Sequence, residues 1–274
     1  MRGARPIVDS NVTKIYNDFF YQDVTLDFYA DTWRYWLTNS TNKKIVGLDD
    51  YSYADFTNGT SQTFDNFVLK HSSTRTIMVL PGEFHYHKCI SRHHKFVTSE
   101  SVTENRALII SVPFSDYGSV RPEFHDLLLK CNQSNIPVCL DLAYWGIAKN
   151  INLDLSLYPC VTEITCSLSK PFYVLENHRV GIRFTRKYEN DGISMINEVN
   201  MQNKYSMSLG CYFMKKLTCD FMWNEYNEKY HEVCKKMKLK KTDTVIFGLG
   251  GPSYFKYNRG IPNNNRVCIS ENLV

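Results

Sequence analysis

The chain has 274 residues, of which 43% are hydrophobic and 14% aromatic, enough apolar material for a large buried core and too much for a disordered protein. Only 13 glycines and 9 prolines exclude collagen-like and low-complexity readings. A net charge of +4 is mild for a dedicated nucleic-acid binder, and no stretch approaches the ~18–20 uninterrupted apolar residues of a membrane helix, so neither nucleic acid nor membrane is expected as a partner.

The first 55 residues are aromatic and polar with weak periodicity, and read as an N-terminal arm with short helices. Its basic start, residues 1–6, is followed by no apolar signal core. From residue 56 the pattern changes. Short runs rich in Val and Ile, bounded by Pro, Gly, Asn or Asp, predict strands at 76–80 (TIMVL), 95–98 (KFVT), 107–112 (ALIISV), 137–141 (PVCLD), 161–166 (VTEITC) and 180–185 (VGIRFT). Between them, 60–71 and 122–132 read as helices; in the second, Phe124, Leu127, Leu128 and Cys131 fall on one face. Continuous apolar strands separated by helices predict an α/β fold, a mainly parallel central sheet covered on both faces as a three-layer sandwich, over 56–190. Residues 193–240 look mostly helical. Two β-like runs, 244–249 and 266–270, close the chain, so 191–274 reads as a helical connection and a reduced C-terminal small domain. The lysine-rich run at 235–241 is the solvated end of a helix. Nine cysteines, an odd number with no Cys-x-x-Cys pair, read as reduced thiols of a cytoplasmic protein.

In such sheets ligands bind beyond the carboxyl ends of the strands, so the polar residues just past each strand are the candidates. Gly59, Thr60 and Ser61 combine a glycine turn with hydroxyls at a helix start, which alone is a plain N-cap and in company an anion site. Asp141 ends the run PVCLD and puts a carboxylate at the mouth of the sheet, with Tyr144 three residues on. Ser167, Ser169 and Lys170 follow VTEITC directly, with Arg179 beyond. A lysine emerging from a buried strand is partly desolvated, which suits an amine nucleophile, and two hydroxyls with an arginine suit a phosphate. His85 and His87, with His93 and His94 beyond, lack a spacing that names a third ligand, so no metal is expected. An aromatic with an adjacent histidine lining the mouth is the better reading of Phe84 and His87.

Together, in order and approximate spacing, these pieces resemble the fold type I pyridoxal-phosphate (PLP) enzymes, specifically the class I/II aminotransferases, well over 56–185 and weakly in the tail. The resemblance implies a PLP cofactor and a role for each position. Lys170 is similar to the lysine that holds the cofactor as an internal aldimine and moves the α-proton. Asp141 is similar to the carboxylate that pairs with the pyridinium nitrogen, and Tyr144 to the tyrosine that bonds the ring O3′. Gly59, Thr60, Ser61, Ser167, Ser169 and Arg179 fall at the phosphate end. Phe84 falls where an aromatic stacks on the ring, and His87 where some members support the aspartate. Arg266 resembles the C-terminal arginine that clamps the substrate carboxylate. The sequence departs from the pattern at Ser115, which stands for an asparagine at O3′, and at Pro171, directly after the lysine. The activity implied is amino-group transfer between an amino acid and a keto acid by a homodimer. Another PLP-dependent reaction (decarboxylase, lyase or racemase) and a non-catalytic PLP-binding descendant are the alternatives.

Overall fold

The computed structural model describes residues 3–89, 95–96 and 102–274. The chain opens with two helices, each with a side-chain cap: α1 (Ser10–Asn17), whose first turn donates from Val12 to Asp9, and α2 (Leu26–Thr38), where Thr25 accepts from Phe28. A short strand β1 (Lys44–Val46) leads into β2 (Tyr53–Asn58) and helix α3 (Thr60–His71). Then follow β3 (Thr76–Val79), one turn of helix α4 (Tyr86–Cys89), β4 (Lys95–Phe96), β5 (Arg106–Ser111), α5 (Phe124–Gln133) and β6 (Val138–Asp141). After β7 (Asn152–Asp154) come β8 (Val161–Ser167) and β9 (Val180–Thr185). Three helices succeed one another, α6 (Gly192–Glu198), α7 (Lys204–Lys216) and α8 (Phe221–Lys236), and β10 (Lys240–Lys241), β11 (Phe247–Gly250) and β12 (Asn265–Cys268) end the chain.

The described residues form a seven-stranded sheet in the order β2-β9-β8-β6-β5-β3-β4. All neighbours pair in parallel except at β9, which runs antiparallel to both β2 and β8. The central strands read as continuous apolar runs because both their faces are covered, and alternate residues serve the two faces. Ile77, Val79, Ala107, Ile109 and Cys139 pack with Phe64, Phe67 and Val68 of α3 on one side. Met78, Leu80, Leu108, Ile110 and Leu140 join the larger cluster on the other, which also holds Trp33 and Trp36 of α2. On α5, Phe124, Leu127, Leu128 and Cys131 are the buried face, as their spacing predicts. A separate antiparallel sheet, β10-β11-β12, carries the tail, and β1 pairs with β7. The mixed α/β architecture with a mainly parallel central sheet is the one expected from the sequence. The last two residues of the run KFVT lie outside the described residues.

Among the described residues no helix is long and apolar enough to cross a membrane. The eight described cysteine side chains carry free thiols, seven of them buried, and burial pushes those of Cys131 and Cys160 up to about 12.

Candidate functional site

The parallel strands β5, β6 and β8 end on one side of the sheet, at Ser111, Asp141 and Ser167. Helix α3, which follows β2, starts on the same side. The reversed direction of β9 has a specific consequence: the residue that arrives at this edge is the one before the strand, Arg179. Register fixes the meeting, since Asn58 lies opposite Val180 and Ser167 opposite Gly181. The strand ends and the start of α3 enclose a cavity of about 290 Å³.

One end of the cavity is built for an anion. Thr60 and Ser61 line it from the first turn of α3, whose N-cap is Gly59 and has no side-chain cap, leaving the backbone amides of that turn to an incoming acceptor. Arg179, itself in the left-handed region at φ 56°, donates to Ser61 Oγ at 2.8 Å. Gly59 has φ +75°, and a Cβ there would stand 2.6 Å from Nη2 of Arg179. A Cβ on Gly181 would lie 2.7 Å from Cα of Gly59, so two glycines let the α3 turn and β9 touch. Ser167 and Ser169 complete this wall, their hydroxyls 3.1 Å apart.

Asp141 and Lys170 line the same cavity. The Asp141 carboxyl is only 4% exposed and accepts from the amide of Ala143 at 2.9 Å. Burial pushes it up to about 7; the Ala143 amide and the Lys170 ammonium oppose that rise, and the Glu83 charge adds to it. Lys170 Nζ donates to the carbonyl of Ala4 at 3.1 Å and stands 3.7 Å from Glu176 Oε1. Pro171, directly after it, sits on Gly146, where a Cβ would meet the ring at 2.9 Å. Tyr144 also lines the cavity, its ring edge-on to Phe247 at 5.4 Å. Phe84 lies at the mouth, 42% exposed, stacked on Tyr86 at 6.0 Å.

Nine of the positions singled out in the sequence thus meet at one wall: Thr60, Ser61, Phe84, Asp141, Tyr144, Ser167, Ser169, Lys170 and Arg179. Gly59 stands behind it, against Arg179. Three others are not on the wall. His87 is fully buried beneath it, edge-on to Phe64 at 4.6 Å and to Phe84 at 5.8 Å. Ser115 is buried, its hydroxyl held by Arg259 at 3.2 Å. Arg266 is 2% exposed, lies 4.1 Å over the Phe247 ring and donates to the Ser115 carbonyl. The structure therefore packs this arginine into the interior instead of presenting it at the cavity wall. His93 and His94 lie outside the described residues, and among those described no group of His, Cys, Asp or Glu is placed to hold a metal ion. Sequence reasoning missed Tyr86, Ser111 and Ala143 as wall residues. Ser111 was findable, being the polar residue that ends an apolar strand; Tyr86 had no such signal.

No protein-family model matches the sequence, and neither does any curated protein. Solved structures do. A tyrosine aminotransferase from Leishmania infantum superposes with a TM-score of 0.64 over 98% of this chain and 87% of its own, at 13% identity. A PLP-bound C-S lyase from Staphylococcus hominis gives 0.67 over 93% and 76%, also at 13%. An alanine aminotransferase from Pyrococcus furiosus gives 0.62 over 94% and 74%, again at 13%. The chain has the fold of the PLP-dependent fold type I aminotransferases. On that fold type I frame, the cavity occupies the place where open α/β sheets hold ligands, beyond the carboxyl ends of the strands.

The residues present suit pyridoxal phosphate. A pair of touching glycines brings the uncapped turn of α3 against β9 and the Arg179 guanidinium, so that backbone amides, hydroxyls and a cation gather at one end of the cavity, the donor set a phosphate takes. At the other end a buried carboxyl at the strand edge, costly to ionise alone, matches a cationic ring nitrogen.

Proposed function

We propose that the protein is a PLP-dependent, aminotransferase-like enzyme transferring an amino group between an amino acid and a keto acid, as a homodimer in the cytoplasm. The observation that carries the proposal is the shared cavity: an amine nucleophile, Lys170, a buried carboxyl, Asp141, and an anion cradle at Gly59, Thr60, Ser61 and Arg179, all at one edge of the sheet. Pyridoxal phosphate, when bound, supplies an aldehyde that captures amines and a ring that withdraws electrons from the bond being broken.

This chain's own residues would do the rest. The α3 amides, the hydroxyls of Thr60, Ser61, Ser167 and Ser169, and Arg179 would hold the phosphate dianion. Asp141 would face the ring nitrogen and keep it protonated, which lowers the barrier electrostatically. Tyr144 would hydrogen-bond the ring oxygen, and Phe84 would cover the ring and exclude water. Lys170 Nζ would attach the cofactor, yield it to the substrate amine, and then carry the substrate α-proton as general base and acid.

One observation favours a second reaction type. Among the described residues lining the cavity, Arg179 is the one arginine, and it belongs to the anion cradle. With Arg266 turned inward, a clamp on the substrate carboxylate has no evident donor on this wall. A lyase or decarboxylase, or a PLP-binding descendant without turnover, remains the alternative.

The test begins with the ultraviolet–visible spectrum of the purified protein incubated with pyridoxal phosphate, followed by borohydride reduction and mapping of the labelled peptide. Label on Lys170, absent in Lys170→Ala, is the expected result. Label elsewhere, or none, overturns the proposal. Product analysis over a panel of amino acids, with and without keto acid, then separates transfer from lyase or decarboxylase chemistry, and sedimentation gives the oligomeric state.

A further inference from the structure

Three neighbouring strand ends stand in a row along the cavity. Asp141 ends β6, Ser111 ends β5 directly opposite it in register, and the loop leaving β3 brings in Glu83. Glu83 is 2% exposed. Its Oε1 accepts from the Ser111 amide at 2.7 Å; its Oε2 accepts from the Ser111 hydroxyl at 2.6 Å and from the amide of Phe84 at 3.0 Å. The carboxylate is thus fastened to a wall residue of the cavity on one side and to the aromatic at its mouth on the other. Its backbone carbonyl accepts from Arg259 at 3.1 Å. An acid buried this deeply is expensive unless hydrogen-bonded; the three donors and the Arg259 charge offset part of that cost, and burial still holds the carboxyl above its ordinary value.

Glu83 stands close enough to Asp141 for its charge to raise that carboxyl. The other charged or titratable groups around the pair are few. Arg259 faces Glu83 from the segment before β12; Arg266, the Tyr144 phenol and Asp116 face Arg259, and His87 lies edge-on to Phe84. Lys170 faces Asp141 from the end of β8, and the thiols of Cys139 and Cys166 face it from β6 and β8. Nothing in the catalytic roles proposed above uses Glu83.

We infer that Glu83 is a positioning residue for the nitrogen end of the cofactor site: from behind Ser111 it fixes the loop carrying Phe84 and adds a second negative charge that favours a protonated ring nitrogen opposite Asp141. The inference rests on the cofactor reading above. A charge at this position acts through the low-dielectric wall, so it is felt without touching the ring.

The experiment uses pyridoxal phosphate labelled with nitrogen-15 in the ring, bound to the full-length protein, with the nitrogen shift followed from pH 6 to 10. The wild type is first reduced with borohydride and the label mapped to Lys170. Glu83→Gln keeps the shape and removes the charge; the ring proton is expected to leave at least about one pH unit lower, a tenfold weaker hold. Glu83→Asp restores the charge and is expected to recover most of the shift. Should Glu83→Gln fail to fold, Ser111→Ala removes the 2.6 Å bond that most favours the ionised form of Glu83, and a shift in the same downward direction is expected. Titration curves that superimpose on the wild type overturn the inference while leaving the Lys170 label, and so the cofactor reading, in place. A wild type that takes no label at Lys170 overturns both.

Discussion

Gly59 and Arg179 approach so closely that a methyl group on the glycine would stand 2.6 Å from the guanidinium. The contact joins the start of α3 to the residue before β9, and the geometry needs both the missing side chain and the positive φ. Gly59→Ala is therefore expected to cost about 1 kcal/mol or more in backbone strain and to push Arg179 off Ser61. Urea unfolding measures the first effect. A titration with pyridoxal phosphate measures the second, with at least a tenfold loss of affinity expected; unchanged affinity would remove Arg179 from the phosphate site.

The Asp141 carboxyl, moved from 3.8 to about 7 by burial, links stability to pH. Below pH ~4 it is protonated both folded and unfolded. Between about 4 and 7 only the native state holds the proton, so this group makes stability fall as pH rises. Above 7 the full cost is present, up to roughly 4 kcal/mol. Asp141→Asn has no such proton. Without cofactor, the variant's stability relative to wild type is expected to improve steadily from pH 4 to 7 and then level off, while its hold on pyridoxal phosphate weakens. A stability difference that does not change with pH contradicts this account.

Arg183 is fully buried and is the centre of a charge network on the α3 side of the sheet. It reaches Asp191 at 2.6 Å, Asp55 at 2.7 Å and Glu163 at 3.9 Å, and Lys70 reaches Glu163 and Glu189 beside it. Burial alone would lower the guanidinium's hold on its proton; the surrounding carboxylates raise it instead. Arg183→Met leaves those acids uncompensated, and a loss of about 3–5 kcal/mol is expected in denaturant unfolding at neutral pH. The network lines no part of the cavity, so the variant that still folds should keep its label at Lys170.

Pro171 and Trp36 both press on Gly146, where a Cβ would lie 2.9 Å from the proline ring and 2.7 Å from the indole. Gly146→Ala overpacks this contact at a cost of about 1–3 kcal/mol and displaces the residue next to Lys170. A slower borohydride-trapped incorporation of cofactor is the expected readout. An equal incorporation rate with lowered stability would show that Pro171 does not set the lysine's position.

The sequence alone picked out most strands of the central sheet, though not β2, whose first half reads as part of the N-terminal arm, and most of the residues that line the cavity. Apolar runs of strand length and the rule that function follows strand ends were enough to single out Asp141 and Lys170, because those signals are local; the turn at 59–61 gained meaning only in company with them. Direction and burial are not local, and the tertiary structure decided them. Nothing in VGIRFT says that β9 runs backwards, yet that reversal is what delivers Arg179 to the cavity. Nothing in the spacing around Arg266 says that its guanidinium lies inside, against Phe247, or that Arg259 takes the Ser115 hydroxyl. Glu83 was silent for the same reason: an acid in a loop reads as solvated until the fold closes over it and supplies three donors. Periodicity records which residues avoid water along one segment; which side chains from distant segments share a wall is set by packing between them.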